Sequence, residues 1–243
     1  MTKNSFKNFL KSINLFEIIW LCSTIVLLIV FIGIFPSEMI EDPSNTLVVV
    51  CSIISIISSP ICEMLISKQS RYWTIFSLFF VEITDIILLT SLGLYSSALI
   101  SLLFWIPFDL LTFFRWSKIK DEKRNELTKV KTFNWRQGLI IILIMICVGL
   151  LLGIILSVIP NSESSFVVAF SNVFEIANGI FLLTRHNEQW FAWFGYLICE
   201  IVIWISLGHY IMLITVFAMM INTIYGFVKW LLYIKSKKRN EIK

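Results

Sequence analysis

Two apolar hairpins in this chain resemble each other at a spacing of about 115 residues. The turn of the first reads Ser91-Leu92-Gly93-Leu94-Tyr95, and the turn of the second reads Ser206-Leu207-Gly208-His209-Tyr210. The helix before each turn carries a carboxylic acid, Asp85 in the first copy and Glu200 in the second. Each copy ends with a tryptophan, Trp116 in the first and Trp230 in the second. An internal repeat of this kind predicts two similar structural units packed together.

The composition identifies a membrane protein. Hydrophobic residues make up 58% of the chain and charged residues 15%, with a mean hydropathy of +0.85, which a soluble domain of 243 residues does not reach. A membrane-spanning helix needs roughly 20 apolar residues. Windows of that length predict eight spans, at about 15–35, 46–66, 73–92, 95–116, 136–158, 165–184, 190–207 and 209–233.

The basic residues predict the orientation of these spans. All 20 Lys and Arg residues fall on one side of the membrane, whereas the other side carries only acidic residues, Glu38, Glu41, Asp42 and Glu163. By the positive-inside rule, both termini face the cytoplasm, and an even number of spans agrees with this. The net charge of +4 therefore reflects topology and contact with anionic lipid, and it does not indicate nucleic-acid binding.

Signatures of other protein classes are missing from the sequence. All five cysteines lie inside apolar spans, where they behave as small hydrophobic residues, and we expect no metal site, disulfide or cofactor. The sequence contains no H-E-x-x-H or G-x-S-x-G pattern, which argues against a membrane enzyme. The first span follows a basic tail without a small-residue cleavage site, so we interpret it as a retained helix.

The repeat predicts the topology of an all-α membrane protein. Spans 2 to 4 align with spans 6 to 8, and each aligned pair crosses the membrane in the same direction. Span 5 must therefore return the chain to the starting side between two parallel three-helix repeats. The result is a 3+1+3 core, preceded in the chain by one extra helix. Parallel repeats of this kind place a transported substrate between the two halves. The predicted segments are a tail and extra helix at 1–45, repeat 1 at 46–116, a basic loop and inverting helix at 117–160, repeat 2 at 161–235, and a basic tail at 236–243.

Helical spacing predicts the residues that line the substrate site. One stripe of span 7 carries Trp190, Trp193, Leu197, Glu200 and Trp204, and an offset of 115 residues places Ile75, Leu78, Glu82, Asp85 and Leu89 on the matching stripe of span 3. A charged side chain at the centre of a spanning helix costs roughly 2.5–3.5 kcal/mol, so buried acids there call for a function. The predicted substrate-binding residues are Trp190, Trp193, Glu200, Trp204, Glu82, Asp85, Glu175, Asn178, Asp109 and Asn222.

Structural roles remain open for several of these residues. Trp190 stands near a span end, where tryptophans commonly form an interfacial belt. Glu63 and Asp109 lie nearer the cytoplasmic ends of their spans, where water can hydrate them. The remaining acids could instead be protonated and hydrogen-bonded between helices.

The motifs in both halves resemble PnuC-type vitamin transporters. The second half contains Thr184-Arg185, Glu188, Trp190-x-x-Trp193, Gly208-x-Tyr210 and Trp230, and the first half contains Ser70-x-Tyr72, Leu94-Tyr95, Asp109 and Trp116. The resemblance covers roughly residues 46–235. Two positions depart from the family pattern, because Leu197 stands where an Asn or Asp is common and Asp109 stands where an amide is expected.

The resemblance implies uptake of a nucleoside-like vitamin, above all nicotinamide riboside, by facilitated diffusion across the bacterial cytoplasmic membrane. It further implies a homotrimer of SWEET-like subunits and a cytoplasmic kinase that traps the imported vitamin. Thiamine, riboflavin and deoxynucleosides are alternative substrates within the same family. A vitamin-binding subunit of an ATP-driven importer is the alternative class, since such a subunit is also small, apolar and rich in tryptophan.

Overall fold

A computed structural model describes residues 13–34, 46–91, 93, 95–118, 120–121, 124–128, 130–158, 165–208, 210 and 212–241. The tail before residue 13, the acidic residues Glu38, Glu41, Asp42 and Glu163, and the turn residue His209 lie outside the described residues. The orientation predicted from the charge on the two sides therefore stays a prediction.

Eight helical segments make up nearly all of the described chain. They are α1 (Leu15–Ile34), α2 (Thr46–Ser67), α3 (residues 72–91), α4 (residues 95–118), α5 (Trp135–Ser157), α6 (Ser165–Thr184), α7 (Gln189–Ser206) and α8 (Met212–Glu241). Among the described residues, the helices from α2 to α8 are long and apolar enough to cross a membrane, and the apolar run of α1 is shorter, at Leu15–Phe31.

Two of these helices contain a π-helical turn. In α3 the α-helical stretches Tyr72–Ser77 and Ile83–Ser91 flank a π turn at Leu78–Glu82. In α4 the stretches Tyr95–Ile100 and Ile106–Lys118 flank a π turn at Ser101–Trp105. A π turn accommodates one extra residue and rotates one side of a helix relative to the other, so the simple helical period used on the sequence does not hold across these points.

The basic loop between α4 and α5 departs from the all-α expectation. It contains a two-stranded antiparallel hairpin, β1 (Lys120–Asp121) and β2 (Arg124–Thr128). The end of this loop is fastened to the link between α6 and α7, because the N–H of Lys131 donates to the carbonyl of Arg185 at 2.8 Å and the N–H of Asn187 donates back to Lys131 at 2.9 Å.

Gly93 and Gly208 occupy the matching positions of the two hairpin turns. Their φ angles are 70° and 77°, a region that side chains with a Cβ atom disfavour. The sequence similarity of the two turns therefore corresponds to a similarity of backbone conformation.

Tryptophans pack together at the end of the molecule that carries the basic loop, which we call the basic end. Trp116 contacts Trp73 at 6.0 Å and Trp230 at 6.4 Å between ring centroids, and Trp190 contacts Trp230 at 5.6 Å. All four are at most 2% exposed. We call this set, Trp73, Trp116, Trp190 and Trp230, the tryptophan cluster.

Helix α1 is joined to the rest of the protein by a buried ion cluster. Glu17, which is 1% exposed, accepts hydrogen bonds from Lys68 at 2.8 Å and from Lys229 at 2.7 Å. The hydroxyl of Tyr225 donates to the same carboxylate at 2.9 Å. The extra helix thus connects the end of α2 to α8.

Candidate functional site

A cavity of about 200 Å³ lies between α2, α3, α4, α6, α7 and α8, on the membrane side of the tryptophan cluster. Its lining mixes carboxylic acids, hydroxyls and aromatic rings with aliphatic residues. The acids and amide at the wall are Glu63, Glu82, Asp85, Glu175, Asn178 and Glu200. A concave, mostly apolar cavity with a few convergent polar groups is typical of a small-molecule site.

Each of four acids in the cavity wall accepts a hydrogen bond from a neighbouring donor. Three of these donors come from a different helix, and the fourth lies one turn away on the same helix. The pairs are Ser55 with Asp85, Trp105 with Glu175 at 2.5 Å, Ser171 with Glu200 at 3.1 Å, and Ser77 with Glu82 at 3.2 Å. These bonds orient the acids. A carboxyl group with one donor keeps further acceptor positions, whereas Glu200 is also reached by Trp204 and Tyr196.

No Lys or Arg is present among the described residues that line the cavity. Asp85 and Glu175 lie within Coulombic range of Glu82, and Glu200 lies within range of Glu175. A ligand with positive charge would therefore meet no like charge in the described lining and would be attracted by each acid that is ionised.

Aromatic rings provide flat surfaces on several walls. Trp193 and Tyr196 stack at 4.6 Å with an interplanar angle of 17°, and both Trp105 and Trp204 line the cavity. The indole N–H of Trp193 has no hydrogen-bond partner in the described part of the protein. Faces of this kind suit a planar heterocycle, and a cation gains further from the ring quadrupole.

The structure brings most of the predicted site residues together. Those that line the cavity are Trp193, Glu200, Trp204, Glu82, Asp85, Glu175 and Asn178. The amide of Asn178 is already engaged, since it donates to the carbonyl oxygen of Gln189 at 3.1 Å and to its side-chain oxygen at 2.9 Å.

Trp190 does not line the cavity, in contrast to the prediction. It belongs to the tryptophan cluster and is 1% exposed. Gly226 makes this position possible, because a Cβ atom there would overlap the Trp190 ring. Trp190 is therefore a packing residue between α7 and α8, and it is also not part of an interfacial belt.

Asn222 and Asp109 also lie outside the cavity lining. Asn222 donates to the main-chain carbonyl of Glu63 at 3.1 Å and to its carboxylate at 3.3 Å, so it joins α8 to α2. Asp109 is 1% exposed, and neither of its carboxylate oxygens has a hydrogen-bond partner among the described residues. It lies within Coulombic range of Glu82, behind the cavity wall.

The sequence prediction missed several residues of the cavity wall. Ser77 and Trp73 line it, whereas the predicted stripe residue Ile75 is 39% exposed on the outer surface. The π turn of α3 explains the error, because it rotates the first half of the helix relative to Asp85. The missed residues that line the cavity are Ser55, Ser59, Cys62, Trp73, Ser77, Ser97, Ser101, Trp105, Tyr196 and Thr215.

Cavity residues occur in pairs at a nearly constant spacing that changes by one at each π turn. The spacing is 116 up to Ser77, 115 from Val81 to Ser101, and 114 at Trp105. The pairs are Ser59 with Glu175, Cys62 with Asn178, Ile66 with Leu182, Ser77 with Trp193, Val81 with Tyr196, Asp85 with Glu200, Leu88 with Ile203, Ser97 with Met212, Ser101 with Val216, and Trp105 with Met219.

Backbone and side-chain contacts follow the same spacing. Gln69 and Arg185 both have a positive φ, of 55° and 62°. The next residue in each copy closes the helix in the same way, since Ser70 N–H donates to the Leu65 carbonyl and His186 N–H donates to the Phe181 carbonyl. The Ser55 to Asp85 bond likewise matches the Ser171 to Glu200 bond.

The described residues contain no group of three or more His, Cys, Asp or Glu side chains arranged to hold a metal ion. The cavity acids are instead separated by aromatic and hydroxyl side chains.

A helical protein with several membrane-spanning segments and a cavity between its helices has the architecture of many membrane transporters. The sequence matches the nicotinamide mononucleotide transporter family over residues 49–232, so the chain belongs to this family. It is 23% identical to a nicotinamide riboside transporter PnuC of Haemophilus influenzae, with 90% of this chain and 91% of the relative covered. It is 24% identical to a nicotinamide riboside transporter PnuC of Neisseria mucosa, with 90% and 82% covered.

The fold is similar to a crystal structure of the vitamin B3 transporter PnuC. The TM-score is 0.74 at 19% identity, and the match covers 93% of this chain and 94% of that one. Family membership and the apolar helices together make the chain a multi-pass protein of the bacterial inner membrane.

Proposed function

We propose that the protein imports nicotinamide riboside, a nucleoside-like vitamin, through the cavity. The observation that carries this proposal is the ring of Asp85, Glu82, Glu175 and Glu200 around a cavity with aromatic walls and no basic residue among its described lining. Nicotinamide riboside combines a planar cationic ring with a hydroxylated sugar. Two relatives of similar length carry the name of a nicotinamide riboside transporter.

The ligand contacts follow from the chemistry of the wall. The cationic ring stacks on the Trp193 and Tyr196 surface, close to Glu200, through π stacking and charge. The N–H of Trp193 has no partner among the described residues and donates to an acceptor on the ligand. The carboxyl groups of Glu82 and Asp85 accept hydrogen bonds from the sugar hydroxyls.

Two parallel three-helix repeats, at 46–116 and 161–235, move against each other around this site. The paired cavity residues and the matching helix ends at Gln69 and Arg185 support this arrangement. Helix α5 inverts the chain between the repeats, and α1 is the additional helix. Alternating access then exposes the cavity to one side of the membrane at a time.

The direction of uptake follows from what happens to the vitamin after entry. The basic end faces the cytoplasm, in accord with the positive-inside rule, and both termini lie there. A cytoplasmic kinase traps the imported vitamin, so facilitated diffusion suffices for accumulation. The transporter works as a homotrimer of SWEET-like subunits, as the family resemblance implies.

Thiamine is the second candidate substrate. It is also a cation with a flat ring, and the acidic wall would attract it equally well. Thiamine differs from nicotinamide riboside in having no ribose, so it has no ribose hydroxyls to donate hydrogen bonds to Glu82 and Asp85.

Ligand-dependent thermal unfolding of the purified protein tests the proposal, since a ligand that binds only the folded state raises the melting temperature. We expect nicotinamide riboside to produce the largest shift in a panel with nicotinamide mononucleotide, thiamine, riboflavin and a deoxynucleoside. Uptake of the stabilising ligand into proteoliposomes then tests transport. A shift with thiamine alone would assign the second candidate, and no shift with any member would contradict the proposed substrate class.

A further inference from the structure

Arg185 is a buried cation without an acceptor for two of its side-chain nitrogens among the described residues. It follows α6 at the basic end and is 4% exposed. Its Nε and Nη1 atoms make no hydrogen bond within the part of the chain that the structure describes. A guanidinium group that leaves water normally gains carboxylate, carbonyl or phosphate acceptors, because each lost hydrogen bond to water is costly.

The charged group next to Arg185 is another cation. Arg115 at the end of α4 lies close enough to repel it, and burial together with this repulsion lowers the pKa of Arg185. The ion pairs among the described residues, those of Glu17 with Lys68 and Lys229, do not involve Arg185. Tyr233 on α8 is the other group that acts on Arg185, and it favours the cation, whereas no described carboxylate forms an ion pair with Arg185.

The surrounding backbone offsets only part of this charge. Arg185 stands at the C-terminal end of α6, where the helix dipole favours a cation. The Leu182 carbonyl at this helix end is occupied, since it accepts from the indole of Trp116 at 3.0 Å and from the N–H of Arg185 at 3.0 Å. The dipole supplies a favourable field, and the described backbone leaves Nε and Nη1 unbonded.

We propose that Arg185, with Arg115 beside it, binds the phosphate group of an anionic ligand at the basic end of the protein. The planar guanidinium fork matches phosphate oxygens in geometry and charge. Phosphate chemistry of this kind is offered by a soluble phosphate monoester and by an anionic lipid headgroup. The site is separate from the transport cavity, because neither Arg185 nor Arg115 lines that cavity.

The chain itself indicates a substitution that the fold accepts. Gln69 takes the position in the first half that corresponds to Arg185, with a φ of 55° and 3% exposure. R185Q therefore places in the second half a side chain that the same helix end already accommodates. Arg136, an exposed arginine in the first turn of α5, provides the matched control R136Q.

Thermal unfolding of the full chain in neutral detergent tests the site with two probes. The first is sodium phosphate against sodium chloride at equal ionic strength, and the second is phosphatidylglycerol against phosphatidylcholine in mixed micelles. We expect a phosphate-bearing probe to raise the melting temperature of the wild type and of R136Q by roughly 2 °C or more. We expect R185Q to lose this shift and, without the probe, to unfold no earlier than the wild type.

The outcomes distinguish the source of the phosphate. A shift with sodium phosphate assigns a soluble ligand, and a shift with phosphatidylglycerol alone assigns a lipid headgroup. R115Q, which changes an exposed residue, should reduce the same shift and replaces R185Q if that variant does not fold. A full shift retained in R185Q or R115Q, or no difference between phosphate and chloride and between the two lipids, would overturn the proposal without affecting the transport proposal.

Discussion

The indole N–H of Trp105 donates a hydrogen bond of 2.5 Å to Oε1 of Glu175. This bond joins the π turn of α4 to the middle of α6 at the cavity wall. The two tryptophans of the cavity wall therefore differ, because the indole N–H of Trp193 has no hydrogen-bond partner among the described residues.

Replacing each of these tryptophans by phenylalanine should therefore have different effects on stability. W105F leaves the Glu175 carboxyl group without its donor and should lower the free energy of unfolding by about 1–3 kcal/mol. W193F removes an N–H that bonds to no described residue, so we expect it to lower the melting temperature less than W105F does and to weaken ligand binding. Thermal unfolding with and without nicotinamide riboside measures both effects, and equal destabilisation by the two substitutions would contradict this interpretation.

Charge at Glu200 should decide between cationic and neutral ligands. E200Q keeps the shape of the side chain and its contact with Ser171 but removes the negative charge. We expect at least a roughly tenfold loss of affinity for nicotinamide riboside, about 1.4 kcal/mol, and less than about a twofold change for a neutral nucleoside that binds the wild type. Calorimetric titration with both ligands provides the comparison. An equal loss for both would mean that Glu200 is structural.

Gly226 packs so closely against Trp190 that an alanine side chain should not fit at this position. A Cβ atom at Gly226 would overlap the indole ring, so G226A should destabilise the protein by about 1–3 kcal/mol through overpacking. At Gly138 in α5 a Cβ atom would meet no described atom within 4 Å, and G138A should be neutral or slightly stabilising. The two melting temperatures, compared in the same detergent, measure the difference.

Loss of the Glu17 carboxylate should remove the counter-charge of a buried lysine. Lys68 has a side chain that is only 5% exposed and is held by Glu17, so E17Q should cost about 3–5 kcal/mol. The double substitution E17Q/K68M should recover part of this loss, because it also removes the buried ammonium group that Glu17 neutralised. A double-mutant cycle on thermal unfolding measures the coupling, and strictly additive effects would show that the two side chains do not interact.

Acid should weaken the link between α6 and α7 through His186. Burial, with Lys131 and Arg185 nearby, lowers the pKa of His186 to about 4, against about 6.5 in an unfolded chain. Between these values the unfolded chain binds a proton that the folded protein does not, so stability falls as the pH drops from about 6.5 to about 4. The melting temperature of H186Q should fall less than that of the wild type over this range. Parallel pH profiles for the two proteins would contradict the assignment to His186.

The sequence was sufficient to predict the spanning helices and much of the cavity. The span boundaries can be predicted from hydropathy, because a helix that crosses a bilayer must be apolar over its length. The turns at Gly93 and Gly208 have similar backbone conformations, as their similar sequences implied. Glu200, Trp204 and Trp193 were found because α7 is a regular helix, so a stripe drawn at about 3.6 residues per turn remains a stripe in three dimensions.

The first half was harder to predict because its helices are irregular. No local signal marks the π turns at Leu78–Glu82 and Ser101–Trp105, so the outward-facing Ile75 was placed on the inner stripe and Trp105 was missed. Trp190 shares the period of Trp193, yet Gly226 on a distant helix allows it to pack away from the cavity. Such a contact between α7 and α8 cannot be read from the spacing within one helix. The step of one residue in the repeat spacing was the signal that could have located both π turns.

The π turns also bear on the two repeats proposed above. On the repeat arrangement proposed above, each π turn is a single inserted residue that the first copy has retained inside the membrane. An insertion in a spanning helix would ordinarily turn every residue beyond it by about 100° and destroy a shared binding surface. Confining the extra residue to one wide turn left the paired positions facing each other, so that the two copies could acquire different side chains without losing a common geometry.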